Sequence, residues 1–460
     1  MPCSLKEVQI SNFKSLKNLK VSLKKFNVLV GPNGSGKTNF IEFFKFLKKA
    51  LIEIRRPYVP YIDWWAYRNI VWEGNEELPI TAKLSCNIDG FDVEYEVTFS
   101  GIGGIFQILG ERVVIEKMLS LEREGPILKV RHDKRFITKE AEEINKELRS
   151  VVGLLGVIAE PETHKDREEM VKKITAESLT EQLWKVPSHL PNLLHLNTIV
   201  IPLIRRGRKD RKKRMLQPEL VGDFPTPGTR REEIAVVFLP RKARKRSSLG
   251  NILRELRSAI KGFTILKHPN MKEVKSASLP MGEVVLREDS SNLNNVLYKW
   301  FSEKRGLPER IETVILELFP DTQIGFELTF EGRIYMKIFE KGVELHPPCI
   351  PDGLYKVLTI LAGVELNPSL LAIDEVENSL YKEALEYVLD ELRECESTVI
   401  ITTHSPLVVD IVRLEDLLIV EKTVEGTVLS RVKEPKKLRE KLAELKITQS
   451  ESWLYGELGK

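Results

Sequence analysis

Three short stretches hold residue types that could act together on a phosphorylated ligand: GPNGSGKTN at 31–39, LLAIDEVEN at 370–378 and TTHSP at 402–406. The first satisfies every fixed position of the pattern GxxxxGK[ST]. Gly31, Gly34 and Gly36 allow a turn tight enough for successive backbone N–H groups to face phosphate oxygens. Pro32, Asn33, Ser35 and Asn39 complete the loop and the first helical residues. Lys37 has the reach for β- and γ-phosphates, and Thr38 carries a hydroxyl suited to Mg²⁺. The ligand this set predicts is a nucleoside triphosphate, ATP, with Mg²⁺ as its cofactor.

The second stretch is an apolar run that ends in Asp374 and Glu375. A parallel strand buried on both faces needs such a run, and its C-terminal end is where α/β sheets hold ligands. There Asp374 can hold the metal and its water shell, while Glu375 can orient and polarise an attacking water. Read alone, an acidic pair after a strand fits helix capping better. The phosphate loop upstream reverses that preference. His404 ends a further apolar run, STVIITTHSP, and at a strand end it is placed to contact a γ-phosphate. A lone histidine is more often structural, so the assignment rests on that placement.

These residues need a scaffold of alternating strands and helices. FNVLV at 26–30 reads as a buried strand feeding the glycine loop, and NFIEFFKFLKKAL at 39–51 as the following helix, with lysines at its C-terminal end. Leu380, Ala384, Leu385, Val388, Leu389 and Leu392 mark one face of a helix between the acidic pair and the histidine strand. Paired strands LKEVQIS and LKVSL precede the loop, and alternation from about 77 to 137 predicts antiparallel strands with a turn at Asp89-Gly90. Helical periodicity dominates 138–200; helices are expected over 247–260 and 292–303, and a hairpin turning at Glu331-Gly332. The fold class is therefore α/β: a mixed sheet with flanking helices and an antiparallel β subdomain. The expected divisions are 1–137, a mainly helical basic insertion at 138–264, and 265–460.

With 42% apolar residues in 460, the chain can build a folded core. No apolar run approaches the roughly 18 residues of a membrane span, and the first residues lack a secretory pattern, so no membrane partner and a cytoplasmic location are expected. Cys3, Cys86, Cys349 and Cys395 form no CxxC pair, which argues against a zinc site. Charge is uneven: residues 204–246 hold 15 Lys or Arg against 5 Asp or Glu. Arg205, Arg206, Arg208, Lys209, Arg211, Lys212, Lys213 and Arg214 could track a nucleic-acid backbone; a solvated loop of like charges is an even alternative.

The order of motifs resembles the ABC-type ATPase heads of the RecF, SMC and OLD superfamily, nearest to compact stand-alone AAA-type (AAA_21-like) ATPases. The resemblance covers GPNGSGKTN, a DG opening a helix in CIPDGLYK, LLAIDEVEN and IITTHSP, with lesser likeness in ISNFKSLKNLKVSL, LREDSSNLNNVLYKWFSE and ESWLYGELGK. It implies ATP hydrolysis and an ATP-bound homodimer in which Asp352, Gly353 and the helix after them cap the partner's nucleotide. It also implies action on nucleic acid, or on a nuclease or toxin effector, in DNA repair or mobile-element defence. Two departures stand out. Pro351 replaces the serine whose hydroxyl would reach the γ-phosphate, and no glutamine occurs between Thr38 and Gln107 to supply the usual metal-side contact. The rival expectation is a nucleotide-gated scaffold that captures or releases a partner protein.

Two further features carry weaker expectations. The aromatic run YVPYIDWWAYRNIVW at 58–72 is read first as core, then as a lid or a partner-docking surface. Phe13 and Lys14 lie where the resembling heads meet the nucleotide, with packing beneath the sheet an equal expectation for Phe13.

Overall fold

The structure is a computed structural model that describes residues 3–53, 59–116, 119–124, 127–132, 182–185, 198–199, 220–221, 248–282, 285–456 and 458. The proposed basic nucleic-acid residues, 205–214, and most of the expected helical insertion lie outside these described residues.

A six-stranded sheet runs in the order Phe263–Leu266, Leu370–Ile373, Thr398–Thr403, Phe26–Val30, Leu417–Thr423 and Gly426–Arg431. The first five strands are parallel and the last is antiparallel. Its central strands are buried along their whole length, and their side chains alternate between two cores. Leu29, Ala372 and Ile400 face one core; Val28, Val30, Ile373 and Ile401 face the other. Continuous apolar runs are therefore required, which is why FNVLV and LLAI carry no polar alternation.

The first core lies between this sheet and the helix Lys37–Leu51, whose Phe40, Phe43, Phe44 and Phe46 are fully buried. Its other side is an eight-stranded antiparallel sheet, in which Cys3–Phe13 pairs with both Leu16–Ser22 and Ile80–Ile88. Strand Ile80–Ile88 alternates buried and half-buried residues, as a sheet covered on one face requires. Phe13 packs edge-on against Phe43 and beside Phe46, so of its two expected placements the buried one is found. The aromatic run divides: Tyr61 and Tyr67 are buried, whereas Trp65 is 89% exposed.

The second core is covered by the helices Asp352–Glu365 and Lys382–Glu394. The hairpin Thr322–Leu328 and Ile334–Glu340 packs beside them, with Gly332 in its left-handed turn. Among the described residues, no helix is long and apolar enough to cross a membrane.

Candidate nucleotide-binding site

Because the strands ending at Val30, Ile373 and Thr403 are parallel neighbours, their C-terminal ends share one sheet edge. The three motifs follow those ends directly, so topology alone brings them together.

Gly36 caps the first helix at φ 108°, a left-handed value that favours glycine. A Cβ there would lie 2.2 Å from Thr427 Oγ1 and 2.8 Å from Ser15 Oγ. Thr427 Oγ1 donates to the Ser35 carbonyl at 2.8 Å and shares a 2.8 Å hydrogen bond with Ser15 Oγ. Ser15 Oγ also accepts from Asn39 Nδ2 at 2.8 Å. Gly31 has a separate reason for lacking a side chain, since its Cβ would meet the Val420 carbonyl at 2.3 Å. The loop is thus clamped from behind by residues of both sheets.

Lys37 is buried and folds over its own loop, donating to the carbonyls of Gly31 at 2.7 Å and Pro32 at 3.0 Å. Burial pushes its ammonium below the ordinary lysine value, against the pull of Asp374, Glu375 and Glu377. Thr38 Oγ1 lies 3.2 and 3.1 Å from the two Asp374 oxygens. Thr402 Oγ1 donates to Asp374 Oδ1 at 2.6 Å and accepts from the Glu375 N–H at 2.9 Å. A hydroxyl and a carboxylate in this proximity are hard oxygen donors that fit Mg²⁺, which takes few protein ligands beside substrate phosphates. No cluster of three or more His, Cys, Asp or Glu able to hold a metal occurs among the described residues.

Glu375 sits at φ 47°, an uncommon conformation for a non-glycine residue, and its Oε2 accepts from Asn378 Nδ2 at 2.6 Å. His404 is 43% exposed. Glu377 Oε1 accepts its backbone N–H at 3.0 Å and lies 3.2 Å from its Nδ1. Beneath this loop lies Lys356, 1% exposed, with its ammonium 3.4 Å from the Glu375 carbonyl. Burial lowers Lys356 to about 8, although Glu377, Asp374 and Glu375 all pull the other way.

The helix after CIPDG begins at Asp352, with Pro351 as its N-cap and no side-chain capping bond. Asp352 is half-exposed and pairs with Lys275 at 2.8 Å. Gly353 meets its own chain first: a Cβ there would come within 2.7 Å of the Ser379 carbonyl, which packs the helix start against the acidic loop. This close approach is one reason for a glycine at this position.

A sequence profile described as "AAA domain, putative AbiEii toxin, Type IV TA system" matches residues 26–410. The chain belongs to this family. Similar solved structures are SMC heads, each 14% identical to this chain. An SMC head bound to the C-terminal winged-helix domain of ScpA has a TM-score of 0.42 over 95% of this chain and 99% of that one. The Thermotoga maritima SMC head domain gives 0.38 over 94% and 99%. An SMC head with an extended coiled coil, bound to the C-terminal domain of ScpA and derived from Pyrococcus furiosus, gives 0.40 over 96% and 100%. No curated protein matches the chain.

Within this AAA-domain chain the expected residues of the phosphate loop, the acidic pair and His404 lie along one edge. Gln107, the first glutamine after the loop, starts a strand of the antiparallel sheet, opposite Ser100. The strand flanking the acidic-pair strand is instead followed by Lys267, which pairs with Glu42 at 3.0 Å and Glu288 at 2.8 Å. Glu42 lies one turn beyond Thr38 on the same helix face and is also held by Lys14, so Lys14 serves that network. Ser15, Thr427, Thr402, Glu377, Lys356 and Lys267 escaped the sequence reading. Only Glu377, inside DEVEN, and Thr402, a hydroxyl ending an apolar strand, left a local signal.

Proposed function

We propose that the chain is an ATPase that dimerises on ATP and acts on nucleic acid, or on an effector directed at nucleic acid. The observation that carries this reading is the meeting of Thr38 and Asp374 at 3.1–3.2 Å although they lie 336 residues apart. Lys37 and the loop amides grip the triphosphate; the lysine exchanges the carbonyls of Gly31 and Pro32 for phosphate oxygens. Thr38 and Asp374 would hold Mg²⁺, which when bound supplies positive charge to the phosphates. Glu375 orients the water that attacks the γ-phosphorus and draws off its proton, as the bond to the β-phosphate oxygen breaks and ADP leaves. His404 faces the terminal phosphate, and Asp352 with Gly353 closes over the nucleotide of a second copy.

The test is ATP turnover by Lys37→Ala and Glu375→Gln proteins, and undiminished hydrolysis in both overturns the assignment. Nucleic-acid action is tested by binding against salt: affinity should fall steeply as salt rises, and less steeply once the charges of residues 205–214 are neutralised.

A second reading, a nucleotide-gated scaffold for a toxin or nuclease, is favoured by two observations. Pro351 offers no hydroxyl at the helix start, and the family description names a toxin of a toxin–antitoxin system. It predicts no nucleic-acid binding at low salt and a partner protein retained only with ATP.

A further inference from the structure

From the geometry around the acidic loop we propose that Glu377 is a positioning residue for His404, fixing Nδ1 as a hydrogen-bond donor and turning Nε2 toward the terminal phosphate. The inference rests on the ATPase reading above and assigns a role to a residue outside the acidic pair.

One oxygen of Glu377, Oε1, accepts the His404 backbone N–H at 3.0 Å and lies 3.2 Å from its Nδ1. The backbone bond fixes the origin of the side chain, and the same oxygen faces the ring at Nδ1. A carboxylate accepts only, so the facing nitrogen must carry a proton, and the opposite nitrogen is left to meet the ligand. Phosphate oxygens are acceptors too. A ring held between carboxylate and phosphate therefore donates at both ends, and the carboxylate behind it offsets the positive charge that results.

Glu377 is suited to this because it is anchored rather than solvated: its side chain is 11% exposed. Its second oxygen, Oε2, is buried with no hydrogen-bond partner among the described residues, a costly state for a carboxylate oxygen. Lys356 supplies the compensating charge from below, its ammonium facing Glu377, Asp374 and Glu375 from the helix that begins at Asp352. A capping role alone would use the backbone N–H of His404 and place no demand on Nδ1.

The experiment uses the full chain labelled with ¹⁵N-histidine, in which the His404 signal among seven histidines is identified by its loss in His404→Asn. In the wild-type protein without nucleotide, the His404 Nδ1 should bear the proton. In Glu377→Ala the proton should move to Nε2, the form favoured by free imidazole, while Glu377→Gln, whose amide oxygen still accepts, should keep it on Nδ1. A wild-type His404 with a bare Nδ1, or an identical signal in the alanine variant, overturns the proposal. Turnover gives the second arm: kcat should fall about 10-fold in Glu377→Ala, the scale of losing an orienting partner, with the gap narrowed in Glu377→Gln and KM for ATP little changed. An unchanged kcat in the alanine variant, or equal losses in kcat and affinity, also overturns it. If wild-type protein hydrolyses no ATP, the ATPase reading fails, and the histidine signals still decide the pairing.

Discussion

The loop that follows Val30 and the loop that follows Ile373 face one another across the sheet edge, and they are held in opposite ways. The phosphate loop is fixed by backbone packing: Gly31 lies against the Val420 carbonyl, and Gly36 is wedged beneath Thr427 and Ser15. Its conformation is set before any ligand arrives. The acidic loop is fixed by charge and strain: Glu375 and Ser379 are both left-handed, a Glu377 oxygen is buried unpaired, and a lysine lies buried below. A wall settled by packing suits binding. A wall that keeps unsettled groups is where chemistry and conformational change are placed.

The largest effects should separate the two walls kinetically. Lys37→Ala removes the loop's cation and should weaken ATP binding and lower kcat by about 100-fold or more. Glu375→Gln should lower kcat by about 100-fold or more while leaving ATP affinity nearly intact, because orientation and polarisation of water are felt only in the reacting state. Equilibrium binding and steady-state turnover on both proteins make the comparison. Equal losses of affinity in the two variants would break it.

Lys356 gives a thermodynamic test of the acidic wall. Its ammonium titrates at about 8 in the folded protein, against an ordinary value of 10.5. Below about pH 8 both folded and unfolded chains hold the proton, and folding bears the whole cost of burying the charge. Between 8 and 10.5 the folded protein releases the proton while the unfolded chain keeps it, so stability contributed by this group rises with pH. The full swing is about 3 kcal/mol at 1.36 kcal/mol per pH unit. Lys356→Met should therefore be more stable than wild type near neutral pH, with the advantage shrinking toward about pH 10 in denaturant titrations. An advantage that stays constant with pH would show that burial is not what shifts this lysine.

What the sequence made legible follows the same division. Strand, loop and helix around Lys37 could be read because the pattern, the apolar run and the helical period are all local, and the antiparallel strands from 77 onward could be read from alternation. The braces could not. Ser15 and Thr427 are 412 residues apart and meet only after two sheets pack together, so neither carries a signature of its own. The approach of the Ser379 carbonyl to Gly353 was hidden as well, because which backbone will approach a glycine is decided by tertiary packing. Pairing of Cys3–Phe13 with Ile80–Ile88 was equally hidden, since alternation marks a strand but not its neighbour.

The smallest expected effect is the sharpest on the loop wall. Thr427→Val keeps the shape that fills the space beneath Gly36 but removes the hydroxyl that donates to the Ser35 carbonyl and meets Ser15. Stability should fall by about 1 kcal/mol, the usual net cost of one lost intramolecular hydrogen bond, read as a lower melting temperature. ATP affinity should fall with it, since the unbraced loop must be ordered by the ligand, and kcat at saturating ATP should stay near wild type. Adding Glu375→Gln to this variant should then multiply the two defects, because one acts on binding and the other on turnover. A drop in kcat with unchanged affinity would place Thr427 with the acidic wall and dissolve the distinction between a loop set by packing and a loop set by charge.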